Sequence, residues 1–398
     1  MKTLIELYDE RAIENILGPE VFRPQKVIYL CPEDVMNDPA KKKVIPDYFA
    51  YRGIDMETEF VGCSMYKADK IHRLIKKLCD EEPDCAIDIT GGTDAALFAA
   101  GMYCGESGAP VFTYSRKKNL FYDINNAPFA DGVRCDIKYK VGDFFRMTGG
   151  SLKTGRVDNG ILHSYMDKFE PFFDIFLKYK RKWSDEITYI QRISQNPPDE
   201  EPSLYAEGAY EQKGERGSRV RANDRLLYDL QKIGFISGLS IKENESVSFK
   251  FKDAAVRNWL RDVGSVLELY MYMICVESGI FCDVISSAVV SWDETQGHSA
   301  VSNEIDAAAS LGNVPFFISC KACEIKTEAL NELDILRDRF GGKGSKAVIV
   351  TTEPCSAAAR HRAAKLGIAV MDAEELSKEK AVARIKAIAG ITKNENGE

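Results

Sequence analysis

The 398-residue chain carries 53 Lys+Arg against 61 Asp+Glu, a formal net charge of -8, with 45% hydrophobic and 29% charged residues. This composition excludes collagen-like, disordered and disulfide-stapled mini-protein classes, and the length predicts about two to three domains, each large enough to bury its own core. No apolar stretch approaches the ~20 residues of a membrane helix, and the acidic balance argues against a basic coat for non-specific nucleic-acid binding.

The N-terminal segment from Met1 to Leu17 mixes acids and bases among its apolar residues and lacks the clean apolar run of a signal peptide, so a cytoplasmic location is expected. Eleven cysteines at irregular spacings, among them Cys31, Cys85, Cys275 and Cys282, suit reduced, buried thiols better than a disulfide framework. Two local basic patches stand out, one at Lys178, Lys180, Arg181 and Lys182, the other at Lys213, Arg216, Arg219, Arg221 and Arg225. Each is equally readable as a solvated face.

From Lys26 to Lys140 short apolar runs alternate with helical patterns. Strands are predicted at 26–31, 55–61, 85–89 and 110–114, with helices at 41–52, 67–81 and 93–104, which is the pattern of a parallel sheet with crossover helices. The runs 119–124 and 133–139 read as a closing hairpin. A helical stretch follows, in which Phe169, Phe172, Phe173, Phe176 and Leu177 form an aromatic stripe suited to core or dimer packing. The segment 196–217 reads as a linker, and the helix, hairpin and helix after it suggest a small winged-helix unit. The last third reads as a helix to about Ser278, strands at 281–291, 303–309 and 315–322, a helix at 326–340, a strand at 346–351, a helix at 356–366, a strand at 368–371 and a final helix. An α/β fold in three parts is expected: 1–145, 146–252 and 253–398.

Two constellations carry chemistry. The first is Thr90-Gly91-Gly92-Thr93-Asp94, between a predicted strand and helix, where glycines permit a tight turn and free N–H groups can cradle phosphate or polar ligand edges. In an open α/β sheet ligands sit at the carboxyl ends of strands. The loops with Pro32 and Glu33, with Met65, and with Lys117 belong to that same edge. The second is Glu304-Ile305-Asp306 followed by Ser319-Cys320-Lys321 on the next predicted strand. Strand alternation puts Glu304 and Asp306 on one face, and Ser319 and Lys321 on one face of the neighbour. Carboxylates so arranged suit Mg2+ or Mn2+, and a nearby lysine can orient a water or offset transition-state charge. The bland alternative is an Asp306–Lys321 surface ion pair. Glu268, on the preceding helix, is a candidate additional ligand, and His298 reads as an exposed loop residue or a substrate contact. Cys320 and Cys323 form a CxxC, but within a strand the sulfurs face opposite sides and no second pair completes a zinc site.

The order of elements in the last third resembles the PD-(D/E)xK nuclease core. Joined to a sheet with a TGGT turn, it resembles the CARF-domain nucleases of type III CRISPR systems. That resemblance implies a Rossmann-like sensing domain, a helical and winged-helix-like connector, and a restriction-endonuclease-like domain. It also implies a homodimer activated by cyclic tetra-adenylate that cuts DNA or RNA with Mn2+ or Mg2+, with Thr90, Gly91, Gly92 and Thr93 touching the messenger and Asp306 and Lys321 catalytic. The sequence departs from the motif at Ser319, where an acid is expected. Glu304 or Glu324 could replace it, Glu304 being preferred because it shares the face of Asp306, unless activity is weak or absent. A ligand-responsive DNA-binding regulator with an inert nuclease domain is the alternative.

Overall fold

The computed structural model describes residues 1–153, 159–195, 202–214, 218–242, 244–292, 302–342 and 344–391. The chain begins with β1 (Thr3–Leu7), α1 (Leu17–Phe22), β2 (Lys26–Cys31), α2 (Glu33–Met36), α3 (Pro39–Tyr51), β3 (Glu57–Gly62), α4 (Ala68–Glu81), β4 (Cys85–Asp88), α5 (Asp94–Ser107), β5 (Val111–Ser115) and β6 (Leu120–Asn125). The strands lie in the order β3-β2-β1-β4-β5-β6, parallel except for β6. Helices cover both faces, so the central strands are fully buried runs rather than alternating ones. The helices show the matching stripe, as in α4, where Ile71, Ile75 and Leu78 are buried.

β1, which the sequence reading left unmarked, sits between β2 and β4 at the centre of the sheet. The closing hairpin is β5 with β6, and the run 133–139 contributes only the isolated bridge Leu120 to Arg134.

The middle of the chain comprises α6 (Val141–Arg146), β7 (Ser151–Lys153), α7 (Asn159–Ser164), α8 (Met166–Tyr179), α9 (Trp183–Ile193), β8 (Tyr205–Ala209), β9 (Glu211–Lys213), β10 (Arg219–Arg221), α10 (Asp224–Lys232), β11 (Ile236–Lys242), β12 (Ser246–Phe251) and α11 (Ala254–Trp259). Helix, hairpin and helix occur in the order expected. The expected linker, by contrast, contains β8, which pairs with β12 and makes the hairpin a three-stranded sheet. In α8 the aromatic stripe is core, with Phe173 stacked on Tyr270 at 3.9 Å between centroids, although Leu177 is exposed. The basic patches are partly spent on ion pairs: Lys178 reaches Asp229, and Arg219 and Arg221 both reach Glu211. Exposed pairs of this kind contribute little to stability. Arg216 lies outside the described residues.

The last third runs through α12 (Ser265–Ser278), β13 (Asp283–Ser291), β14 (Ser302–Leu311), β15 (Val314–Lys321), α13 (Thr327–Gly341), β16 (Lys346–Thr351), α14 (Ala357–Lys365), β17 (Ile368–Met371) and α15 (Lys378–Ile388). Its sheet has the order β17-β16-β15-β14-β13-β7, with α12 on one face and α13 on the other. Buried hydrogen bonds join the two large sheets at the β14–β15 turn, where the Ser310 hydroxyl donates to Tyr139 O at 2.6 Å and Asn313 Nδ2 donates to the Tyr114 oxygen at 2.5 Å. Of the cysteines, Cys31, Cys85 and Cys275 are buried as expected, whereas Cys282 is exposed. Among the described residues no helix is long and apolar enough to cross a membrane.

Under the first sheet, Glu6 and Asp88 lie side by side on β1 and β4, both fully buried. Burial pushes the Asp88 carboxyl up to about 7, against the Thr90 groups that favour its charged form, and pushes Glu6 well above the usual carboxylate range, with Asp88 adding like-charge repulsion. An acid whose folded pKa is raised stabilises the fold below its unfolded pKa and loses that contribution as pH climbs through the folded value. Wild-type stability should therefore fall between about pH 4 and 7 from this site. Asp88→Asn keeps the acceptor for Thr90 N–H and removes one charge, so its melting temperature should exceed wild type at pH 8, and the gap should narrow as pH falls below 7 and close near about pH 4. A lower melting temperature than wild type at pH 8 would contradict this account of the pair.

Candidate functional site

At the carboxyl edge of the first sheet lies an open cavity of about 830 Å³. Pro32, Glu33, Met65, Gly92 and Thr93 line it, each a residue expected at this edge from sequence. Local structure explains their placement. Thr93 caps α5, its hydroxyl accepting from Ala96 N at 3.3 Å and donating to Met65 O at 2.7 Å, which ties the loop after β4 to the loop after β3. Gly92 has φ +98, and a Cβ there would sit 2.7 Å from that of Leu7, so the loop crosses the end of β1 only without a side chain.

The other expected residues lie elsewhere. Thr90 faces the sheet: its N–H donates to Asp88 and its hydroxyl accepts from Tyr114 N at 2.9 Å. Gly91 is buried against Asp9, and Asp94 and Lys117 are exposed; none of these four is among the lining residues. Arg116, next to Lys117, is held by buried Glu14 at 3.0 Å. Sequence reasoning missed the loop Tyr8 to Arg11, because β1 was unmarked, and it missed Arg339 at the end of α13. The signal for the loop was present in Thr3–Leu7, a β-strand pattern masked by Glu6.

The second site forms where two strands part. The β14–β15 ladder runs as far as Ala307 opposite Ile318. One residue on, the Asp306 carboxylate accepts from Cys320 N at 2.6 Å, from the Ser319 hydroxyl at 3.2 Å and from Lys321 Nζ at 3.5 Å. A side chain thus satisfies a backbone donor at the end of the ladder. Across β13, Ser287 has φ +50, a conformation unusual for a non-glycine residue and more so inside a strand. The strands invert their faces at this point: Val284, Ala307 and Ala309 pack on the α12 side, whereas Val290 and Ile305 pack on the α13 side.

Glu304, Asp306, Ser319 and Lys321 line a small cavity of about 60 Å³ under α13. Glu268 approaches Asp306 from α12 and accepts from the Ser287 hydroxyl at 2.5 Å. Burial pushes its carboxyl up to about 8; Ser287 opposes this, and Asp306, Asp262 and Glu304 add to it as like charges. Glu324 is exposed and is not among the residues lining the cavity. Cys320 is buried, with its thiol pushed well up by burial, while Cys323 is exposed, so the CxxC pair does not converge. His298 lies outside the described residues. Among the described residues no three His, Cys, Asp or Glu side chains are drawn together closely enough to hold a metal ion as they stand.

No family model and no curated protein matches the sequence. Solved structures do. The protein VC1899 from Vibrio cholerae is 16% identical, with 98% of this chain and 99% of that chain covered and a TM-score of 0.73. Can2 from Sulfobacillus thermosulfidooxidans, solved in complex with cyclic tetra-adenylate, is 17% identical, with 97% of each chain covered and a TM-score of 0.66. The chain shares their fold from end to end. The two-sheet α/β architecture expected from the resemblance to CARF-domain nucleases is thus the architecture of this protein.

Proposed function

We propose that the protein is a cyclic tetra-adenylate-activated, metal-dependent nuclease of type III CRISPR antiviral defence, cutting DNA or RNA as a homodimer, with residues 1–145 sensing and 253–398 cutting. The observation that carries the nuclease reading is the Asp306 carboxylate at the parting of β14 and β15, bonded to Ser319, Cys320 N–H and Lys321 beside a cavity that Glu304 also lines. The sensing reading draws on the open cavity of about 830 Å³ at the sheet edge and on the fold shared with Can2.

Oxygen donors suit Mn2+ or Mg2+. Asp306 and Glu304 disfavour ionisation of Glu268, and a cation among the three would offset that effect, although they are not preassembled as a cage. Such an ion supplies an activated water and a counter-charge for the phosphate. Within the chain, Asp306 fixes the local backbone, Lys321 offers a cation to a phosphate oxygen, and Ser319 contributes a neutral hydroxyl.

Dimerisation through α5 is supported by its outer face. Phe98 and Met102 are 64% and 40% exposed, and at Gly101 and Gly105, on the same face, an added Cβ would meet nothing within 4 Å. Small and large residues at i, i+3, i+4 and i+7 let a second copy approach closely, and α5 starts at the lining residue Thr93, so a two-fold axis here brings two cavities together around one symmetric ring.

Asp306→Ala, Glu304→Ala and Lys321→Ala should each lower cleavage of a labelled strand in Mn2+ by about 100-fold or more while messenger binding persists, whereas Ser319→Ala should lose far less. Full activity in Asp306→Ala would overturn the site. Phe98→Glu should convert the dimer to a monomer in light scattering and abolish the stoichiometry of one messenger per two chains; an unchanged dimer would exclude α5 as the interface.

A further inference from the structure

This inference rests on reading the larger cavity as a messenger site and concerns the wall that the last third of the chain contributes to it. α13 has 15 residues, about 22 Å of helix at the standard rise. Its N-terminal portion, through Ala329, Glu332, Leu333 and Leu336, walls the cavity that holds Asp306 and Lys321. Its last turn, through Asp338 and Arg339, lines the larger cavity at the edge of the first sheet. One helix therefore touches both sites. Leu330, Leu333, Leu336 and Phe340 are buried in the core beneath it, so it is held along its length.

The end of α13 is also pressed on the first sheet's loops. Gly342 has φ +65, and a Cβ there would lie 2.5 Å from Ile13 Cγ2 and 3.7 Å from Arg116 Nη2. Ile13 belongs to the short turn Ala12–Asn15, which directly follows Arg11 on the cavity wall.

The charge on that wall narrows the role further. Asp9, Glu10, Glu33, Asp34 and Asp338 line the cavity, and Arg11 and Arg339 are its two cations among the described residues. Neither guanidinium has an ion pair or hydrogen bond among the described residues. A polyanionic ring entering an acid-rich cavity needs these cations, and a guanidinium presents the donor fork that suits phosphate. Arg339 is the one that comes from α13, the helix packed on the sheet that carries Asp306 and Lys321.

We propose that Arg339 contacts a phosphate of the messenger and that α13 transmits binding to the cleavage site. A ligand shifts an equilibrium only through contacts that differ between the two arrangements. A phosphate contact borne by the helix that walls the second cavity is such a contact.

Titration calorimetry with cyclic tetra-adenylate on the full-length protein, repeated over a range of salt concentrations, tests this. Arg339→Ala should weaken binding about 10-fold or more and flatten the salt dependence, Arg339→Lys should recover most of the affinity, and the messenger should raise cleavage by a smaller factor in Arg339→Ala than in wild type. If wild type binds and Arg339→Ala binds equally well with the same salt dependence, the inference is overturned and the messenger reading stands. If wild type does not bind, both fall.

Discussion

The parting of β14 from β15 at Asp306 is the constraint around which the last third of the molecule is arranged. A ladder that ends inside a protein leaves a backbone N–H without its partner, and an unsatisfied buried donor costs about 1–3 kcal/mol. Here the Asp306 carboxylate takes the Cys320 N–H, so the same side chain that ends the pairing also satisfies its consequence. That bond fixes where Ser319 and Lys321 emerge, and Ser287 absorbs the matching twist in β13 through a left-handed backbone. Strain held at one point in an otherwise regular sheet is characteristic of a site with a task.

Charge follows from the same geometry. Glu268 comes from α12, a helix whose residues are otherwise almost all buried, and it meets the carboxylates of Asp306, Asp262 and Glu304 instead of a cation. Natural cores avoid such clusters because each buried charge needs a partner. The cluster is therefore better explained by what it receives in function than by what it gives the fold. The Glu6–Asp88 pair poses the opposite case: it lies on the central strands β1 and β4 and is fully buried, and burial favours its neutral forms.

Much of this was legible in the sequence. Buried parallel strands leave continuous apolar runs, so the predicted strands 26–31, 85–89, 346–351 and 368–371 were readable, as were the polar loops that follow the first two. Asp306 and Lys321 were readable because two-residue alternation on neighbouring strands is a local property. β1 was not, because Glu6 interrupts its apolar run and buried acids are rare enough that no pattern anticipates them. The splayed ladder, the inverted faces and the arrival of Arg339 at a cavity far from it in sequence depend on tertiary geometry that no periodicity encodes. Lys117 shows the converse: a cation at the right loop lies off the wall because the antiparallel β5–β6 turn carries it away.

The account stands or falls on whether a ligand at the first sheet governs hydrolysis at the second. The direct measurement is the cleavage rate of a labelled nucleic-acid strand by the full-length protein in Mn2+, with and without cyclic tetra-adenylate. A nearly complete shift between resting and active arrangements needs about 5.5 kcal/mol of preferential binding, so the messenger should raise the rate by well over about 10-fold. Equal rates with and without it, or no cleavage of DNA or RNA under either condition, would contradict the account.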